Sequence, residues 1–293
     1  DRIFMPSITT VTSENTESTS ESMCAIVKGY PIVIRNSDNP EKRWHIPFDA
    51  PLFHWYRSED RNRQLTGYME KTFGISPAET RQAIASADAA EKQFHDEMHQ
   101  AGKTVLDEVT ANGSYAVVLA SRPYQNDALV NHDLPEMFTS LGIPVLTADS
   151  LEEADHVDLS MSRLDIVNNY HARMLSTAIL AARNPHLEYV QIVSFGCGHD
   201  AYLSDEIIRL MKEISGKTPL VLKLDESDIQ GPLRIRVRSF TETVSMNHAI
   251  HPELDIHPLK DPYPVKFTKE DCRKKHSKEQ ETCHRRQHAV QHE

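Results

Sequence analysis

The sequence predicts an α/β fold, in which a doubly wound, mostly parallel sheet forms two Rossmann-like units joined by a helical connector. Three observations predict it. Short apolar strands alternate with helices after residue 112, a long helical stretch precedes them, and the chain opens on a buried strand that runs into a loop. Buried strands that alternate with helices indicate a parallel sheet covered on both faces.

Residues 1–58 are predicted to be the remainder of an N-terminal α/β domain. The opening, residues 1–6, has the pattern of a strand end, and the segment from Thr9 to Ser22 has the composition of a loop. The apolar run from Ile32 to Ile34 predicts a short strand, so Cys24 is expected where the loop meets the core.

Residues 59–111 are predicted to be a helical connector. Apolar side chains recur there at spacings of three and four, with an interruption from Gly74 to Pro77. Ser76, followed by Pro77 and Glu79, has the pattern of a helix cap and first turn.

Residues 112–250 are predicted to form a second α/β domain. We expect strands at 115–120, 143–146, 189–193 and 220–224, and helices at 129–141, 168–182, 201–214 and 231–246. Ligands bind such sheets beyond the carboxyl ends of the strands, where the polar loops 121–132, 194–200 and 225–231 fall. Residues 251–293 show no apolar period and are expected to be a linker or disordered.

Composition excludes several functional classes. A net charge of −11 over 293 residues argues against a nucleic-acid-binding surface. No apolar run approaches the roughly 20 residues of a membrane helix, and the start of the chain lacks the pattern of a signal peptide. Four scattered cysteines are too few for a disulfide framework, so we expect free thiols and a cytoplasmic location.

The sharpest local feature is the turn from Ser194 to Asp200, in which Cys197 stands between two glycines before a predicted helix. Glycines leave room for a bulky group, and a helix N-terminus favours a thiolate. A buried structural cysteine is the plain alternative, and a nucleophile paired with His199 is another. Cys24 is also expected in a loop, and two such cysteines facing one cleft are able to share a cluster, which needs thiolate ligands.

Two further groups of polar residues follow predicted strands. The loop from Arg122 to His132 is a candidate lining for a substrate or partner cleft, with a helix cap by Asn126 or Asp127 as the alternative. The cleft candidates in and near it are Arg122, Tyr124, Asp127, Asn131, His132 and His199. Asp225 and Glu226 are candidate acid or base groups, with ion pairs to nearby arginines as the alternative. In the tail, cysteines and histidines superficially resemble a zinc site, but their spacing fits no standard finger: Cys272, His276, Cys283, His284 and His288.

Several strings of the chain, from residue 1 to about residue 246, resemble the acyl-CoA dehydratase activase-related proteins of the CoA-enzyme activase family. The resembling segment is the one that follows their ATPase domains, and it is similar to the 2-hydroxyacyl-CoA dehydratase subunits. The strings that carry the resemblance are Asp1 to Pro6, Cys24 to Pro31, Arg122 to Asp127 with Tyr124, Asn131 and His132, Gly142 to Thr147, Ser194 to Asp200, and Leu224 to Glu226.

The resemblance implies a 4Fe-4S cluster with Cys24 and Cys197 as ligands. The family's first ligand cysteine lies in a Cys-(Tyr or Phe)-Pro-x-Lys string upstream of Asp1, and where relatives often have Cys-Pro this chain has Cys24 followed by Ala25. It also implies an ATP-dependent activator domain or subunit as partner, an acyl-CoA as substrate, and a homo- or hetero-oligomer. No glycine-rich phosphate loop is present, so the chain itself is not expected to hydrolyse ATP.

Overall fold

The computed structural model describes residues 1–13, 15, 17–194, 196–224, 230–250 and 256. Its N-terminal part contains two pairs of short parallel strands, in which β1 pairs with β3 and β2 pairs with β4. Parallel strands need a crossover connection, which α1 and α2 supply here. The elements in chain order are β1 (Ile3–Phe4), β2 (Ser7–Val11), α1 (Ala25–Ser37), α2 (Pro40–Trp44), β3 (Phe48–Asp49) and β4 (Leu52–Trp55).

Two helices follow, α3 (Ser58–Phe73) and α4 (Pro77–Ala111). Gly74 ends α3 in the left-handed region, with φ 68°. The Ser76 hydroxyl accepts a hydrogen bond from the backbone N–H of Glu79 at 3.2 Å and caps α4. The predicted helical stretch, its interruption and its cap are confirmed.

A four-stranded parallel sheet forms the centre of the C-terminal part. Its strands are β5 (Ala116–Ala120), β6 (Val145–Thr147), β7 (Leu187–Ser194) and β8 (Leu220–Leu224), in the spatial order β6-β5-β7-β8. The helices are α5 (Ala128–Asn131), α6 (Leu134–Thr139), α7 (Asn169–Arg183), α8 (Gly198–Ser215) and α9 (Gln230–Ile250). The order of the strands reverses between β5 and β7, which defines a topological switch point.

Helices cover both faces of this sheet. Alternate residues of β5 point to opposite sides, so Val118 packs into the core cluster that contains α7 and α8. Its neighbour Val117 packs into the cluster that contains α6 and α9. The α/β class with a mostly parallel sheet is therefore confirmed. The strand pairs of the N-terminal part are too small to establish a second Rossmann-like unit, which stays a prediction, as do the domain boundaries.

The prediction was wrong for three local elements. Ile32 to Ile34 lies inside α1, not in a strand, because the crossover between parallel strands overrides the strand preference of this β-branched run. Ser7–Val11 is a strand, although a loop was predicted from Thr9. The predicted helix 129–141 is two short helices, because Pro135 fits the first turn of a new helix better than a helix interior.

Two findings concern the ends and surface of the molecule. No helix in the described part of the chain is long and apolar enough to cross a membrane. Of the predicted tail, 251–293, only Ile256 is among the described residues, and it is buried in the core cluster that contains α6 and α9.

Candidate functional site

A cavity of about 580 Å³ lies where loops follow β5 and β7, at the switch point of the sheet. The N-terminal segment that leads into α1 also lines it. Five of the predicted site residues line it together: Cys24, Arg122, Tyr124, Cys197 and His199. The sequence placed these residues in different loops, and the fold brings them to one space.

Each of the two cysteines stands at the start of a helix. Cys24 is the N-cap residue of α1, and Cys197 is the N-cap residue of α8. Both thiols are free and half-buried. The exposed N–H groups and the dipole of a helix N-terminus favour negative charge at both places.

Arg122 connects the loop after β5 to the turn that holds Cys197. Its guanidinium donates two hydrogen bonds to the Asp200 carboxylate, at 2.8 and 2.5 Å, and a third to the Cys197 sulfur at 3.4 Å. Arg122 is 2% exposed and Asp200 is fully buried. Burial opposes the charged guanidinium, but the hydrogen bonds and charge of Asp200 outweigh it and raise the pKa of Arg122 above its usual range.

A second layer of hydrogen bonds fixes this turn. Asp200 also accepts from the backbone N–H of Ser194 at 2.8 Å, and the Gln125 amide donates to the Ser194 hydroxyl at 3.1 Å. These hydrogen bonds hold the loop after β5 against the turn after β7.

Tyr124 lies at the cavity and is 36% exposed, and burial is the main reason that its pKa is raised.

Two histidine rings lie close together in the lining of the cavity. The rings of His171 and His199 lie 5.4 Å apart, and His171 is 3% exposed. Burial and then the charge of Arg122 lower the pKa of His171 to about 4. His199 contacts the Tyr202 hydroxyl through Nδ1, whereas Cys197 receives its hydrogen bond from Arg122, an arrangement that does not resemble a Cys197–His199 nucleophile pair.

A family model described as "CoA enzyme activase uncharacterised domain (DUF2229)" matches residues 1–151. The chain belongs to this family of CoA enzyme activase domains. The resemblance predicted from the sequence is confirmed. No curated protein and no solved structure matches the chain. The matched region of the CoA enzyme activase domain includes Cys24 and Arg122, and Cys197 lies beyond it.

The remaining cleft candidates of this CoA enzyme activase domain lie elsewhere. Asp127 caps α5, because its carboxylate accepts from the backbone N–H of Leu129 at 2.8 Å, which is the helix-cap alternative. Asn131 is buried and donates to the carbonyl of Asn126 at 3.1 Å. His132 follows α5 in the left-handed region. None of the three lines the cavity, and Asp225, Glu226 and the tail cysteines lie outside the described residues.

The donors at the cavity fit part of an iron-sulfur site. A 4Fe-4S cluster is held by cysteine thiolates, usually four, and the cavity offers Cys24 and Cys197. Within the described ranges, no group of three or more His, Cys, Asp or Glu side chains is arranged to hold a metal ion. The described part of the chain therefore brings two cysteine thiols to the cavity and does not bring four.

Two residues of the site were missed by the sequence analysis. Asp200 was noted only as the end of the turn, and His171 lies in the first turn of α7, where neither spacing nor a glycine marks it. The available signal was topological, because helix N-termini that follow strands of a parallel sheet lie at its carboxyl edge.

Proposed function

We propose that this cavity is a thiolate site for a 4Fe-4S cluster, with Cys24 and Cys197 as two of its ligands. The chain would act in low-potential electron transfer coupled to acyl-CoA dehydration or reduction. The observation that carries the proposal is that two free cysteines, distant in sequence and each at a helix N-terminus, line one cavity in a CoA enzyme activase domain. When bound, such a cluster supplies reversible one-electron storage.

The chain's own residues would hold and tune the sulfur ligands. Arg122 donates a hydrogen bond to the Cys197 sulfur and keeps the turn in place. Its charge is balanced by Asp200, so the pair adds a hydrogen bond to the sulfur with little net charge. Hydrogen bonds to sulfur and local charge both set the potential of a cluster, and a balanced pair limits how far it is raised.

The proposal also defines partners. The electron would come from an ATP-dependent activator domain or subunit, and an acyl-CoA thioester would accept it. Since the described residues offer two ligands, the others would come from a second subunit. We therefore expect the working protein to be a homo- or hetero-oligomer.

The proposal is tested by measuring iron and acid-labile sulfide per chain, after anaerobic purification and reconstitution with ferrous iron and sulfide. We expect Cys24→Ser and Cys197→Ser each to lose most of the bound iron, because each removes one thiolate ligand. Cys272→Ser removes a cysteine of the tail and should retain it. An iron-free, folded wild-type chain, or equal iron in all three variants, would contradict the cluster.

A non-catalytic interaction module is the second candidate. It is favoured by one observation, that the described residues hold no complete set of metal ligands. Its expected behaviour is formation of a complex with the activator component by the iron-free chain, unchanged by Cys24→Ser or Cys197→Ser. Size-exclusion chromatography of the mixed proteins distinguishes the two, because a cluster-dependent complex forms only with the reconstituted wild type.

A further inference from the structure

The cavity also has the charge pattern of an anion site. Three helices, α1, α7 and α8, begin at it, and their N-cap residues Cys24, Asn168 and Cys197 all line it. No side chain caps the first-turn N–H groups of α1 or α8. Helix N-termini bind anions through such N–H groups and the helix dipole.

The charged side chains at the cavity also favour a bound anion. Lys28 and Arg122 line the cavity, and none of the described lining residues is Asp or Glu. Arg122 is already paired with Asp200, but the Lys28 ammonium donates to a neutral hydroxyl, that of Ser22, at 2.8 Å. Lys28 therefore contributes a positive charge at the cavity that no described carboxylate balances.

His171 supplies an independent observation that points to a ligand. It is 3% exposed and lines the cavity, and its ring makes no hydrogen bond to any described residue. A histidine ring always carries at least one N–H donor, and buried polar groups normally find a partner. A ligand that accepts a hydrogen bond in the cavity would satisfy this donor.

We propose that the cavity binds a small organic oxyanion, a carboxylate or a phosphate ester with a short apolar body. The N-termini of α1 and α8, with Lys28 and His171, contact the anionic group. The body lies against the apolar part of the lining, which includes Met23, Ile26 and Val167. A volume of about 580 Å³ suits a ligand larger than a free inorganic ion. The inference goes beyond the cluster, because an oxyanion needs neither iron nor a third thiolate.

Protection of the cavity thiols tests this site directly. The full chain, assayed as iron-free, is alkylated with iodoacetamide, and Cys24 and Cys197 are followed by peptide mass spectrometry at constant ionic strength. Cys272 and Cys283 in the same digest report any general effect on the reagent. We expect n-butyl phosphate or butyrate to slow alkylation of a cavity cysteine with a saturable dependence, and 1-butanol to have no effect.

The added compounds separate the head groups. Stronger protection by butyl phosphate identifies a phosphate ester, and stronger protection by butyrate identifies a carboxylate. Inorganic phosphate should protect only at higher concentration, since it lacks the apolar body. Equal protection by butanol, or no protection by any compound, would overturn the proposal. Neither result depends on the iron content, so failure of the cluster and failure of the anion site are distinguishable.

Variants define the contacts. Lys28→Gln should weaken protection about tenfold, which is the loss of one hydrogen bond from a charged group. Lys42→Gln removes the same charge from an exposed helix and should change nothing. His171→Leu should weaken protection about fivefold. Equal effects of the two lysine variants would overturn the site, and this comparison decides it even if His171→Leu does not fold.

Discussion

Arg122 and Asp200 form an ion pair beside Cys197, with side-chain exposures of 3% and 1%. Removing one partner of such a pair leaves the other charge buried and unpaired, which typically costs about 3–5 kcal/mol. Asp200→Asn should lower the free energy of unfolding by about this amount, because Arg122 loses its carboxylate. Urea unfolding followed by circular dichroism measures the change.

Asp96→Asn is the matched control, because it breaks a carboxylate ion pair in an exposed position. The Lys92–Asp96 pair has side-chain exposures of 75% and 62%, and such pairs contribute about 0.5 kcal/mol or less. Equal losses in the two variants would mean that the Arg122–Asp200 pair is solvated in solution and does not lock the turn.

At this scale, the sequence indicated residues with a local signature. Cys197 is marked by its two flanking glycines and by the apolar strand before it, and the structure places it at the cavity with Cys24. Asp127 has an equally local signature, but that signature indicates a helix cap and not a cavity residue. His171 has none, because its role depends on the ring of His199 and the charge of Arg122, which only the fold brings near.

At the scale of elements, predictions succeeded where a long pattern and tertiary packing agree. The helices α3 and α4 and the strands of the central sheet carry many periodic positions, and all were predicted within a few residues. Residues 32–34 of α1 were predicted as a strand because a short β-branched run resembles one, while the connection between parallel strands usually contains a helix. Short runs contain too little periodicity to decide between the two.

The contact between α4 and the turn Ala148–Ser150 depends on one glycine. Gly102 is buried in α4, and a Cβ there would overlap the carbonyl oxygen of Ser150. Gly102→Ala should therefore destabilise the chain, because overpacking costs about 1–3 kcal/mol and exceeds the gain in helix propensity. The midpoint of thermal or urea unfolding should fall.

Gly67→Ala provides the control for helix propensity alone. Gly67 is exposed in α3, and a Cβ there would meet no atom within 4 Å. This variant should gain up to about 1 kcal/mol of unfolding free energy. Changes of the same sign in both variants would show that α4 does not pack closely on Ser150 in solution.

At the scale of the whole molecule, the N-terminal wall of the cavity is held by contacts between the N-terminal segment and the connection that precedes α7. The backbone N–H of Thr19 donates to the carbonyl of Ile166 at 2.8 Å, and the Glu17 carboxylate accepts from the N–H of Leu159 at 2.8 Å. The fold class follows from the alternation of strands and helices, and this pattern can be read from a single sequence. Contacts between a polar segment and a distant part of the chain leave no periodic signal, so the meeting of Cys24 with Cys197 was only a hypothesis.

The stability of the whole molecule should depend on pH through His171. Its pKa falls from 6.5 to about 4 on folding, so between these values the unfolded chain binds more protons than the folded chain. The stabilisation from a neutral His171 is complete above about pH 6.5 and is lost as the pH falls toward 4. At a slope of about 1.4 kcal/mol per pH unit, the loss by about pH 5 is roughly 2 kcal/mol.

Urea unfolding of iron-free protein at about pH 7.5 and 5 measures this loss. In His171→Gln, the decrease between the two pH values should be smaller than in the wild type by roughly 2 kcal/mol, since glutamine does not titrate. All other titrating groups are shared, so the difference isolates this residue. His156→Gln, at an exposed histidine, should follow the wild type. If His171→Gln follows it as well, His171 is solvated in the folded state, and the cavity is more open than its 3% exposure indicates.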